Sequence, residues 1–133
     1  MIQLDRHRAL VESGADLPVI PEDCTLYLDC ETDSFDPCRG GTRPYSGDRA
    51  CGWAVTWDDN PCAYYIPAEI ANGGWLSDTV RKANRWVNHN VKFDAHFAVV
   101  DGAKFNCELW DTTTLAKLLD SDRYSHGLKE LVR

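Results

Sequence analysis

The segment Leu26-Tyr-Leu-Asp-Cys-Glu-Thr-Asp-Ser-Phe-Asp36 decides how this chain folds. The apolar alternation predicts a strand from Thr25 to Cys30. Tyr27 and Asp29 fall on one face of it, and Leu26, Leu28 and Cys30 on the other. Four carboxylates then crowd into eight positions: Asp29, Glu31, Asp33 and Asp36. Ionised carboxylates repel one another and resist burial, so a shared positive charge is expected among them. In a strand Asp29 and Glu31 project from the same face, roughly 6–7 Å apart along the backbone, and both can reach one divalent ion. Hard oxygen ligands of this kind suit Mg²⁺ or Mn²⁺. Asp-x-Glu alone is a weak motif, and a solvated strand edge with two unrelated acids is its commoner explanation. Asp33 and Asp36 lie past the strand and read as turn residues.

The rest of the chain arranges itself around that strand. Residues 1–15 read as weakly helical, and Asp16-Leu-Pro-Val-Ile-Pro-Glu22 is a Pro-punctuated lead-in. Phe35 to Asp48 is a Pro- and Gly-rich loop. Ala50 to Trp57 and Cys62 to Ile66 read as strands joined by the turn Asp58-Asp-Asn-Pro61, hence as an antiparallel hairpin. Ser77 is the expected N-cap of a helix running to about Trp86, followed by a short strand over Trp86–Asn90. Further helices are expected over Ala95–Val100 and Thr112–Leu119, with a short strand over Glu108–Asp111 between them. The second of these helices carries Leu115, Leu118 and Leu119 on one face. Ser125 is the expected cap of a last helix with Leu128, Leu131 and Val132 at helical spacing.

A meander of strands followed by alternating helices and strands predicts an α/β protein with a mixed five-stranded sheet flanked by helices. The first strand lies inside the sheet, and the Asn88-bearing strand runs parallel beside it. That order brings Asp94, at the start of a helix, close to Asp29 across the ends of neighbouring strands. A lone Asp in such a position is most often a cap or a first-turn acid that favours the helix dipole.

Bulk properties bound the function. The chain has 133 residues, enough for one domain with one core. Its formal net charge of −7 argues against a protein that coats nucleic acid generally. It does not argue against a nuclease, which concentrates carboxylates around metal ions. No apolar run approaches the ~20 residues of a membrane span, and the N-terminus lacks the apolar core of a secretory signal, so a cytoplasmic protein with no membrane partner is expected. The six cysteines (24, 30, 38, 51, 62 and 107) form no Cys-x-x-Cys pair and read as free thiols.

Three stretches together carry a family resemblance. They are Asp29-Cys-Glu-Thr-Asp-Ser-Phe-Asp36, the hairpin Gly47–Val55 with Ala63–Pro67, and Asn88-His-Asn-Val-Lys-Phe-Asp94. In this order the chain resembles the 3′–5′ exonuclease (proofreading) domain of family A DNA polymerases, in a phage-like version. Trp110–Leu119 and His126–Leu131 fit the next segment of that domain.

The resemblance implies a ribonuclease-H-like fold and a site of two divalent metal ions, Mg²⁺ or Mn²⁺, held by four carboxylates. It implies that Asp29 bridges both ions, Glu31 binds the ion carrying the attacking water, and Asp94 holds the other, directly or through water. Thr32, Phe35, Asn90 and Phe93 match positions that contact the substrate strand. Asp111 reads as a helix cap and His89 as incidental. The implied partner is the 3′ end of single-stranded DNA.

The family's fourth acid lies in a Tyr-x-x-x-Asp segment that this sequence does not contain. The expected organisation is therefore an N-terminal extension over residues 1–20 and an exonuclease domain over 21–133, incomplete at its C-terminal end. Weak or no activity is expected of the chain alone, with the missing segment supplied by a polymerase domain or a second chain. Ribonuclease-D-like trimming of RNA 3′ ends, and a non-catalytic binding module derived from the fold, remain as alternatives.

Overall fold

The computed structural model describes residues 1–32, 47–71 and 73–132. Phe35 lies outside them, as do Asp33, Asp36, Cys38, Arg39, Arg43 and most of the expected loop. The strands are β1 (Ile2–Asp5), β2 (Arg8–Leu10), β3 (Thr25–Thr32), β4 (Ala50–Trp57), β5 (Ala63–Pro67), β6 (Arg85–Asn88) and β7 (Glu108–Asp111). The helices are α1 (Gly73–Lys82), α2 (Val91–Val100), α3 (Thr112–Leu119) and the single turn α4 (Leu128–Leu131).

The strands form one mixed sheet in the order β1-β2-β5-β4-β3-β6-β7. The five expected strands are all present, and β3 lies inside the sheet with β4 antiparallel on one side and β6 parallel on the other. Gly14–Asp16 makes one 3₁₀ turn, but the sheet has seven strands rather than five because residues 1–13 are not helical. They form the hairpin β1–β2, and β2 adds to β5 in parallel. The Asp5 carboxylate sets the hairpin turn by accepting from the His7 backbone N–H and from Arg8 Nε, both at 2.8 Å. These bonds, that from His7 first, hold Asp5 below the usual carboxylate range.

One face of the sheet is sealed. Leu26, Leu28 and Cys30 of β3, Trp53 and Val55 of β4 and Ile66 of β5 are all buried there. Leu76 and Val80 of α1, and Phe97 and Ala98 of α2, join the same cluster. The opposite face carries Tyr27, Asp29 and Glu31, which are exposed as the alternation predicts.

Helix boundaries differ from expectation in several places. The first helix starts at Gly73 and ends at Lys82, so Ser77 is internal. The Ser77 hydroxyl instead ties the helix to the loop that follows α2, donating to Gly102 O and accepting from Lys104 N. Trp86 belongs to β6 and is fully buried. α2 begins four residues earlier than expected, at Val91, which places Asp94 inside its first turn. The last helix is capped by Gly127, although the Ser125 hydroxyl does accept from the Gly127 N–H. Among the described residues no helix is long and apolar enough to cross a membrane.

Candidate active site

The site arises where two parallel strands part. β3 and β6 are in register at Thr25 with Arg85 and at Leu26 with Trp86, and there the pairing stops. The backbone of β3 beyond that point still needs hydrogen-bond partners. Side chains supply them. Leu28 O accepts from Trp86 Nε1 at 2.9 Å and from Asn88 Nδ2 at 3.1 Å. The Cys30 N–H donates to Asp94 Oδ1 at 2.8 Å. The crevice at the C-terminal ends of β3 and β6 is thus walled by Asn88 and by the first turn of α2. Such ends are where open α/β sheets place their ligands.

Two of the expected acids meet there. Asn88 Nδ2 lies 2.9 Å from Asp29 Oδ1 and 2.8 Å from Asp94 Oδ2, so both carboxylates face one small volume. Asp94 is only 2% exposed. Burial pushes its carboxyl up to about 6; the Cys30 N–H opposes that rise and the charge of Asp29 adds to it. Burial likewise drives the Cys30 thiol far up, with Asp94 beside it reinforcing the shift, so Cys30 is a neutral thiol. Among the described residues no Lys or Arg forms an ion pair with Asp29, Glu31 or Asp94. Among the described residues, the negative charge of the crevice is met by neutral donors, the Asn88 amide and the Cys30 N–H.

Glu31 sits two residues along the same open face, opposite Gly52 of β4. A Cβ on Gly52 would lie 2.1 Å from the Tyr65 hydroxyl. Only glycine leaves room for the Tyr65 ring to lie over β4 at the position paired with Glu31. Among the described residues, no three His, Cys, Asp or Glu side chains are already gathered closely enough to hold an ion. Asp29 and Asp94 are joined through Asn88, and Glu31 stands apart on the same strand face.

The remaining candidates lie around this pair. Thr32 follows a register shift after Glu31 and is half-buried. Asn90 is exposed and left-handed, at φ 66° and ψ 46°, immediately before α2. Its N–H donates to Asp111 Oδ1 at 3.0 Å. Asp111 also caps α3 through the Thr113 N–H at 2.8 Å, as the sequence suggested. Burial works to raise Asp111, but the N–H groups of Asn90, Thr113 and Thr114 outweigh it and hold the carboxyl below its usual range. Phe93 is half-buried and packs on Phe97, with ring centroids 5.1 Å apart. His89 bonds through Nδ1 to the Thr112 hydroxyl at 3.0 Å and so braces the strand ends. In the sequence Asn88 stands within a quoted motif and carries no assigned role. The cue for Asn88 was an amide at the end of a strand next to the acid-bearing one.

Known proteins resemble the chain over this same framework. No family model matches it. It is 30% identical over 120 residues to DNA polymerase DpoZ of Acinetobacter phage SH-Ab 15497, covering 87% of this chain and 18% of the polymerase. It is 31% identical over 110 residues to DpoZ of Salmonella phage PMBT28, covering 81% of this chain and 16% of that protein. The chain thus spans under a fifth of the length of these relatives. Among solved structures, Brucella melitensis NrnC with bound Mg²⁺ superposes with a TM-score of 0.62 at 21% identity, covering 94% of this chain and 57% of that one. NrnC bound to pGG gives a TM-score of 0.64 at 20% identity, covering 94% and 56%. The likeness to part of two phage DNA polymerases, together with the ribonuclease-H-like fold shared with NrnC, is consistent with a polymerase-type exonuclease domain.

Proposed function

We propose that the chain is the part of a 3′–5′ exonuclease that presents Asp29, Glu31 and Asp94 to divalent metal ions and acts at DNA 3′ ends in proofreading. The observation that carries this reading is the pair Asp29 and Asp94, brought together on the Asn88 amide with no ion pair to a cationic side chain among the described residues. Two carboxylates left in that state, one of them buried, are a donor set of hard oxygens suited to Mg²⁺ or Mn²⁺. NrnC, which shares the fold, has been solved with Mg²⁺ bound.

When bound, two such ions supply Lewis acidity that activates water and offsets charge on the leaving 3′-oxygen. The chain's own residues do the rest. Asp29, on rigid β3, fixes the ligand oxygens. Asp94 holds its negative charge inside the crevice wall, where water screens it least. Glu31 presents a third carboxylate to solvent, where the attacking water enters. The resemblance assigns contact with the terminal nucleotide to Thr32, Phe35, Asn90 and Phe93; of these, Thr32 ends β3 just past Glu31, and Asn90 and Phe93 lie at the start of α2.

Mn²⁺ binding followed by electron paramagnetic resonance tests the metal assignment. Binding in the millimolar range is expected, lost in both Asp29→Ala and Asp94→Ala; binding that survives both changes sinks the reading. Release of 3′ nucleotides by this chain alone is expected to be slight and to vanish in Asp29→Ala, since the sequence offers three of the family's four acids. The pGG ligand of one NrnC structure favours a second reading, trimming of short RNA ends. Competition between DNA and RNA oligonucleotides of one sequence separates the two.

A further inference from the structure

We propose that Asn88 is a positioning residue of this site, whose side-chain amide fixes the separation and orientation of Asp29 and Asp94 before a cation arrives. The inference rests on the metal-site reading above. Asn88 Nδ2 has three acceptors within reach: Asp94 Oδ2 at 2.8 Å, Asp29 Oδ1 at 2.9 Å and Leu28 O at 3.1 Å. It carries two hydrogens, and the two shortest contacts are to the acids. The other end of the amide is committed too, because Asn88 Oδ1 accepts from the His89 N–H at 2.8 Å. That bond fixes which end of the side chain faces the carboxylates.

The chemistry of the residue matters. A lysine or arginine here would neutralise the two acids and compete with a metal ion. A neutral amide bonds one oxygen of each carboxylate, leaves further lone pairs open and leaves the negative charge intact. The platform is rigid as well: Asn88 ends β6, in register with Asp111 of β7, and Asp111 is itself tied to Asn90 and α3. Groups that hydrogen-bond metal ligands in this way change metal affinity by roughly 10–100-fold when removed.

The test compares the wild-type chain with Asn88→Ala and Asn88→Asp, using Mn²⁺ as the probe. Asn88→Ala is expected to weaken Mn²⁺ binding by about tenfold or more. Asn88→Asp keeps the size but replaces the donor with a third carboxylate. Its melting temperature in EDTA is expected to fall below wild type, and Mn²⁺ is expected to raise it by more than it raises the wild type. A merely structural amide would lower stability equally with and without metal. The proposal is overturned if Asn88→Ala binds Mn²⁺ within twofold of wild type while Asp29→Ala still abolishes binding. Should Asn88→Ala not fold, an Asn88→Asp chain that gains no more from Mn²⁺ than wild type overturns it instead. Failure of the metal-site reading looks different: Mn²⁺ binding would then persist in Asp29→Ala and Asp94→Ala.

Discussion

Replacing Asp94 by asparagine should stabilise the metal-free protein, although it removes an expected ligand. The Asp94 carboxyl is pushed up to about 6, chiefly by burial. An unfolded Asp titrates near 3.9, so the folded state binds this proton more tightly than the unfolded state does. Stability from this group is therefore fully present below about pH 4 and falls as pH rises through the interval to about 6. Above that interval the ionised carboxylate costs the fold about 3 kcal/mol, at ~1.4 kcal/mol for each tenfold change in proton affinity.

The Asp94→Asn change removes the charge and keeps an oxygen for the Cys30 N–H. The new amide hydrogens, however, would face those of Asn88, which returns about 1–2 kcal/mol of the gain. The expected net effect at pH 7.5 in EDTA is a stabilisation of about 1–2 kcal/mol, or a rise of roughly 3–6 °C in melting temperature. At pH 4 the gain should vanish or reverse. Thermal melts of both chains between pH 4 and 8, followed by circular dichroism, give the difference directly; Asp5 and Asp111 titrate alike in the two and cancel. A variant less stable than wild type at pH 7.5, or a difference that does not change with pH, refutes the reasoning.

Other substitutions probe the frame around the crevice. Asp111→Ala should cost about 1–2 kcal/mol in urea denaturation by uncapping α3 and freeing the Asn90 N–H, with Asp111→Asn recovering most of it. Gly52→Ala should cost about 1–3 kcal/mol, because its Cβ meets the Tyr65 hydroxyl at 2.1 Å. In a Tyr65→Ala background the same change should be nearly neutral, and a double-mutant cycle measures the difference. Trp86→Phe removes the indole donor to Leu28 O and leaves a gap in the core, so a loss of about 1–3 kcal/mol in chemical denaturation is expected.

Much of the fold was legible because its strands announce themselves. Thr25–Cys30 alternates cleanly, and Glu108–Asp111 with Thr112–Leu119 was read to the residue because Asp111 is a strong cap on a clear apolar stripe. The first fifteen residues were misread because β1 and β2 are too short to show a period, and their strand character comes from pairing with β5. Ser77 misled for a related reason: a good capping residue was spent on a tertiary bond, while two glycines began the helix.

The proximity of Asp29 and Asp94 could be reasoned from strand order. Asn88 between them could not, because its role appears only where β3 and β6 stop pairing. That handover from ladder bonds to side chains is a property of two strands together and leaves no pattern in either.

The hairpin at the start of the chain has its own consequence. β5 would otherwise be an outer strand, offering Ala63, Tyr64 and Tyr65 as a template for another chain, since open strand edges recruit one another. β2 occupies that edge, and the short β1 that ends the sheet bears an aspartate locked in its turn. Shortening the chain from the front would thus leave the crevice residues in place but turn a self-limiting sheet into one able to grow by addition of copies, so solubility rather than chemistry would suffer first.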